Sequence, residues 1–185
     1  KGIVEISDDG VGMDEQTAAN SMKLAHSAKK NKLGEFGLGL KTAATSLGKN
    51  FQIATTQKGS DEKYIMEYDE EKWLKSGDWT KHEMKIKSGV DKRRSGTTIR
   101  IGDLHFKHYG NLPGNIRNDL ATRFAPFIEN GEVKIKVNTK WCEPEALDLK
   151  TEYYPDADGK EPFRLKLESG SEVYGWRGLL KKGSI

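Results

Sequence analysis

Two glycine clusters near the start of the chain have the composition of an anion cradle. Asp8-Asp9-Gly10-Val11-Gly12-Met13-Asp14 is followed, about two dozen residues on, by Gly34-Glu35-Phe36-Gly37-Leu38-Gly39-Leu40-Lys41-Thr42. Glycines let a backbone pass close to an anion, and a helix opening at Lys41 would offer unpaired N–H groups that favour negative charge. Two familiar phosphate loops are excluded. A Walker loop needs its lysine directly after the glycine, and here Leu40 intervenes between Gly39 and Lys41. In a dinucleotide fingerprint counted from Gly37 and Gly39 the third glycine would fall at Thr42, and the preceding His26-Ser27-Ala28-Lys29-Lys30-Asn31-Lys32 is polar and basic rather than an apolar strand. Taken alone, such a turn is as much plain structure as a site.

The elements that must position these residues follow from periodicity. Ile3-Val4-Glu5-Ile6-Ser7 alternates like a strand and runs into the first glycine cluster. Asp14 is placed to cap a helix through Ala25, with Ala18, Met22 and Ala25 on one face, and a second helix is predicted over residues 41 to 48. The segments FQIATT and KYIMEYD read as one hairpin, and HEMKIK with TTIRIGDL as another. Short turns between strands imply antiparallel pairing, so the fold class is α/β: a two-layer α/β sandwich with a mostly antiparallel sheet covered on one face by helices. Ile116, Leu120, Phe124, Phe127 and Ile128 are spaced for a helix that Pro126 should kink and Gly131 should stop. EVKIKVN reads as a strand, and FRLKLES with EVYGWRGLL as a final hairpin. These predict a first domain over residues 1–140 and the start of a second α/β domain over 141–185.

Composition narrows the function classes. With 31 basic and 28 acidic side chains the net charge is only +3, too little by itself to imply nucleic acid. The basic runs at Lys29, Lys30 and Lys32 and at Lys92, Arg93 and Arg94 could each be a solvated face. The one cysteine, Cys142, precludes an intramolecular disulfide, fits a reducing intracellular compartment, cytoplasmic or nuclear, and suits a packing role. No run has the length of a membrane span, so no membrane role is expected. His105, His108 and Asp103 lack a fourth metal ligand, the segment DADGKE lacks the ligands of a calcium loop, and no metal site is predicted.

The pairing of DDGVGMD with GEFGLGLKTA, followed by SGTTIRI on a later strand, resembles the Bergerat-fold (GHKL) ATPase superfamily, with the nearest likeness to its MORC, heat-shock-chaperone-like and MutL branch. The resemblance covers roughly residues 3 to 140 and implies an ATP- or ADP-binding domain. By it, Asp8 would accept a hydrogen bond from the adenine amino group, Gly10 and Gly12 would let the chain pass the base, and Met13 would pack on it. Ser27, Lys29 and the amides of Gly34, Glu35, Phe36, Gly37, Leu38, Gly39 and Leu40 would hold the phosphates. Lys41 would add a charge there or remain a solvated helix residue, and Thr97 would reach the adenine side. A lid would occupy residues 14 to 33. The family's glutamate base and its asparagine ligand for Mg2+ lie on a helix before the first strand, so both are expected upstream of Lys1, and catalytic residues are not assigned within this chain. The resemblance further implies an ATP-dependent homodimer in the intact protein, with a chaperone or DNA role by analogy. Two alternatives are a histidine kinase catalytic domain and a non-hydrolysing module switched by ATP. A phenylalanine inside the second glycine box and the elements after residue 110 speak against the kinase.

Overall fold

The computed structural model describes residues 2–23, 37–77, 83–106, 110–144 and 147–181. The chain divides into two compact units, Lys1–Tyr109 and Gly110–Ile185.

In the first unit the strands β1 (Val4–Ser7), β2 (Gly48–Thr56), β3 (Glu62–Asp69), β4 (Met84–Ser88) and β5 (Gly96–Leu104) form one sheet in the order β1-β5-β2-β3-β4, antiparallel at every pairing. Helices α1 (Glu15–Ser21) and α2 (Gly39–Leu47) cover one face, α1 over β3 and α2 over β2 and β5. The two-layer sandwich is therefore observed. Alternation explains which face is covered. Phe51 and Ile53 of β2, Tyr64 and Met66 of β3 and Ile101 of β5 are buried with Ala18, Met22 and Ala44 from the helix layer. On the opposite face Glu5, Arg100, Gln52 and Glu67 align across the strands in a polar row that Lys85 extends. Arg100 pairs with Glu5 at 2.8 Å, Gln52 donates to Glu67 at 2.9 Å, and Lys85 reaches Glu67 at 2.6 Å. The Lys85 and Gln52 hydrogen bonds hold the Glu67 carboxyl below its ordinary value. A third helix, α3 (Glu70–Ser76), follows β3, capped by Asp69 through the Lys72 N–H and stopped at Gly77, whose φ is +62°.

Two expectations need correction here. The segments HEMKIK and TTIRIGDL do not form a hairpin. β4 pairs with β3 at the sheet edge, whereas β5 inserts between β1 and β2. The connection from Gly89 to Ser95 is longer than the usual two- to five-residue hairpin loop and can cross the intervening strands, which lie about 4.8 Å apart. β5 carries Ile99 and Ile101 into the core opposite Ile53 and Phe51, a match in length and pattern that the lysine-rich β4 lacks. The segment expected as a lid also begins as core. Asp14 caps α1 as predicted, accepting from the Thr17 N–H at 2.7 Å, but Ala18 is fully buried and Met22 is 3% exposed, so α1 belongs to the helix layer. The rest of that segment, with Ala25, lies outside the described residues.

In the second unit the expected helix is broken. α4 (Leu112–Arg123) and α5 (Ala125–Glu129) meet at Phe124, with Pro126 in the first turn of α5 and Gly131 following at φ +74°. The strand expected over EVKIKVN is reduced to β6 (Lys136–Val137), paired with β7 (Lys140–Trp141). β8 (Glu161–Lys166) and β9 (Glu172–Arg177) form the predicted final hairpin. Cys142 is free and buried, and burial raises its thiol above the ordinary value, consistent with packing. The segment DADGKE opens in a 3-10 turn, Pro155–Ala157.

Candidate functional site

The C-terminal end of β1, the N-terminal end of β5 and the C-terminal end of β2 meet at one edge of the sheet, in the register Ser7 opposite Thr98, Thr55 opposite Thr97 and Thr56 opposite Gly96. The Asp8 N–H donates to the Thr97 carbonyl at 2.9 Å, extending the β1–β5 ladder by one rung. The Asp8 Oδ1 accepts from the Gly10 N–H at 2.9 Å and from the Thr97 N–H at 3.3 Å. Oδ2 has no partner among the described residues, and Asp8 is exposed. Asp8 is thus both the hinge of a turn and a carboxylate with one oxygen still able to accept.

Close approach of backbone explains two glycines. Gly12 has φ +67°, and a Cβ there would sit 2.0 Å from the Thr56 carbonyl oxygen. Gly96 has φ +125°, and its Cβ would meet the Asp8 carbonyl oxygen at 2.1 Å. Gly10 is less constrained, since a Cβ there would lie 3.0 Å from the Asp8 Oδ1. Gly96 belongs to the glycine–threonine pair read in the sequence, but its constraint, the Asp8 carbonyl, comes from a segment almost ninety residues away in the chain. Thr55 was missed because its contacts likewise come from distant segments. It reads as an ordinary strand residue, yet it is fully buried and its Oγ1 accepts from the Met13 N–H at 3.0 Å, donates to the Gly96 carbonyl at 3.2 Å and lies 3.2 Å from the Thr97 Oγ1. With the Thr55 proton given to Gly96, the Thr97 hydroxyl donates to Thr55 and keeps lone pairs as acceptors. Met13 is half-buried and packs against the core, as does Leu40.

α2 runs directly into β2 at Leu47–Gly48, so its N-terminal turn points back towards the end of the sheet that carries Thr55 and Thr97. Gly37 has φ +61°, whereas Gly39 is helical with open space around it. Leu38 precedes the helix with no side-chain cap, leaving the first amides of α2 unpaired by side chains. Lys41 is not a solvated helix residue: it is 9% exposed, and its Nζ donates to the Gly37 carbonyl at 2.8 Å. Burial pushes its ammonium below the usual lysine value. Ser27, Lys29, Gly34, Glu35 and Phe36 lie outside the described residues. His105 Nε2 faces the Thr45 carbonyl at 3.0 Å, His108 lies outside the described residues, and among the described residues no group of three or more metal-ligating side chains gathers.

A strand ending in an Asx turn, a glycine held against a neighbouring strand and a glycine turn opening a helix can be compared with known families. The model of the family described as histidine kinase-, DNA gyrase B-, and HSP90-like ATPase matches residues 1–97, just over half of the chain. The chain belongs to this family. Its nucleotide-binding, ATPase-like character is thereby set, and the match spans both glycine clusters and the glycine–threonine pair at β5. Among solved structures the chain is similar to the ATP-binding domain of topoisomerase IV from Francisella tularensis, solved in complex with a small-molecule inhibitor, at 18% identity and a TM-score of 0.41, over 65% of this chain and 33% of that one. The chain therefore spans about a third of the length of that chain. No curated protein matches the chain. None of the described helices is long and apolar enough to cross a membrane.

Proposed function

We propose that the first unit binds ATP or ADP, with the adenine at the β1–β5 end of the sheet and the phosphates at the N-terminus of α2. The observation that carries this reading is the Asp8 carboxylate. Oδ1 is fixed by two backbone amides, which leaves Oδ2 to accept from an exocyclic amino group, a donor that adenine has and guanine replaces with a carbonyl at that position. The backbone around Asp8 is fixed as well, since Gly12 and Gly96 lie so close to the Thr56 and Asp8 carbonyls that a methyl group at either would strike them. Thr97, with acceptor capacity to spare, completes the adenine side, and Met13 supplies an apolar wall.

At the other end Gly37, Leu38, Gly39 and Leu40 supply amides, joined in this proposal by Ser27, Lys29, Gly34, Glu35 and Phe36. Mg2+ would arrive with the phosphates; among the described residues no group of three or more metal-ligating side chains gathers to hold it. In the proposed organisation residues 1–140 form the ATP-binding domain and 141–185 open a second domain. Hydrolysis, ATP-dependent homodimerisation and a DNA or chaperone role of the MORC or MutL kind are part of the same proposal. They are supported by family membership and by the pairing of the two glycine boxes, and they concern an intracellular protein.

Calorimetric titration with ATP, ADP and GTP tests the binding step. ATP and ADP should bind and GTP should bind at least about tenfold more weakly, the cost of leaving a charged acceptor unpaired. Equal affinity for GTP would remove the adenine assignment.

A further inference from the structure

Lys41 is the one buried cation in the helix layer among the described residues. Its stem runs along the first turn of α2 and its ammonium is spent on the Gly37 carbonyl at 2.8 Å. The next carbonyl, that of Leu38, is held in the same way by the Thr42 N–H and the Thr42 hydroxyl, each at 3.0 Å. Within one planar trans peptide the C=O and the following N–H point in opposite directions. A Gly37 carbonyl caught by Lys41 therefore sends the Leu38 N–H away from the helix, and a Leu38 carbonyl caught by Thr42 does the same for the Gly39 N–H. Two successive amides facing outward ahead of an uncapped helix form a concave donor pair suited to an anion.

We propose that Lys41 is a positioning residue of the glycine turn, which fixes the Gly37–Leu38 peptide so that the Leu38 N–H faces the phosphates of the bound nucleotide. This role rests on the nucleotide reading and refines it, because the lysine acts through the backbone rather than on the phosphate. The left-handed conformation of Gly37, at φ +61°, is the backbone setting that brings its carbonyl within reach of the ammonium. A cation buried at the positive end of a helix dipole is unfavourable in the free protein. Desolvation, rather than a carboxylate partner, governs its proton affinity, so an anion arriving at the neighbouring amides also relieves this charge.

The test compares wild type, Lys41→Met and Lys41→Arg with ATP and with adenosine by calorimetry, with thermal melts beside them. Lys41→Met keeps an apolar stem and removes the donor; it should lose about ten- to a hundredfold in ATP affinity and leave adenosine unchanged. Lys41→Arg should recover part of that loss. The Lys41→Met change made in a Gly37→Ala background, or in Gly37→Asn if alanine prevents folding, should cost less than about threefold more, because both changes disturb one peptide. An undiminished loss in that background would mean that the lysine touches the phosphate itself and would overturn the proposal. Equal losses for ATP and adenosine, with a lowered melting temperature, would make Lys41 merely structural. A wild-type chain that binds neither ligand would defeat the nucleotide reading and this role with it, an outcome distinct from both.

Discussion

Asp8 performs two tasks with two oxygens, and a substitution can separate them. Asp8→Ala would lose the turn and the proposed adenine contact together. Asp8→Asn keeps an acceptor where the Gly10 and Thr97 amides converge, and those two donors force its NH2 group into the Oδ2 position, where it meets the adenine amino group donor to donor. We expect Asp8→Asn to melt close to wild type while ATP affinity falls about ten- to a hundredfold; a variant that binds normally would detach Asp8 from the base. The glycines divide just as sharply. Gly12→Ala and Gly96→Ala should each cost more than about 2 kcal/mol in urea unfolding, since each combines positive φ with a methyl group about 2 Å from a backbone carbonyl. Gly39→Ala meets nothing within 4 Å and sits in a helix, so the free protein should gain up to about 1 kcal/mol. Any loss that Gly39→Ala does show should then appear in ATP binding rather than in folding. The sequence singles out Asp8, the glycine boxes and the glycine–threonine pair at Gly96 as motifs, whereas the close approach that constrains Gly96 and the contacts of Thr55 come from the strand register that brings Asp8 and Met13 against them.

The elements that could be read from sequence are those whose signals are local. Asp14 ahead of an amphipathic stretch marked α1, the short turn between β2 and β3 marked their hairpin, and Pro126 marked the break between α4 and α5. The pairing of β4 was misread because adjacency in the chain is a default that a longer connection can override, and because the partner of β5 is decided by burial across the sheet. Likewise the sequence leaves Lys41 of α2 either a phosphate-side charge or a solvated helix residue, and only tertiary packing removes the second reading. The α1 cap gives a pH-dependent expectation. The Thr17 side chain, and after it the Thr17 N–H, hold the Asp14 carboxyl below its ordinary value of 3.8, so in the folded state the carboxylate binds its proton less readily than in the unfolded chain. The stability it contributes is therefore present in full above the unfolded value and is lost as pH falls through the lower, folded one. The melting-temperature gap between wild type and Asp14→Ala should be constant from neutral pH to about pH 5 and should close below about pH 4. A gap that does not change with acid would assign the effect to helix propensity alone.

For the molecule as a whole, the division of labour between the two faces of the first unit is the feature on which function turns. One face is sealed by helices around Ile53 and Met66, and the other is occupied by the polar row from Glu5 to Lys85. The ends of β1, β2 and β5 carry Asp8, Thr55 and Thr97, and the N-terminus of α2, uncapped by a side chain, offers free amides. In the proposed reading one nucleotide spans these two groups, base at the strand ends and phosphates at the helix. Amide chemical-shift mapping on the 15N-labelled chain, comparing adenosine with ATP, separates the two halves of that site. Adenosine should shift residues 8–13 and 96–98, and ATP should shift the same set together with residues 37–42. Shifts confined to the polar sheet face around Gln52, Glu67 and Arg100, or an ATP pattern no larger than that of adenosine, would contradict it.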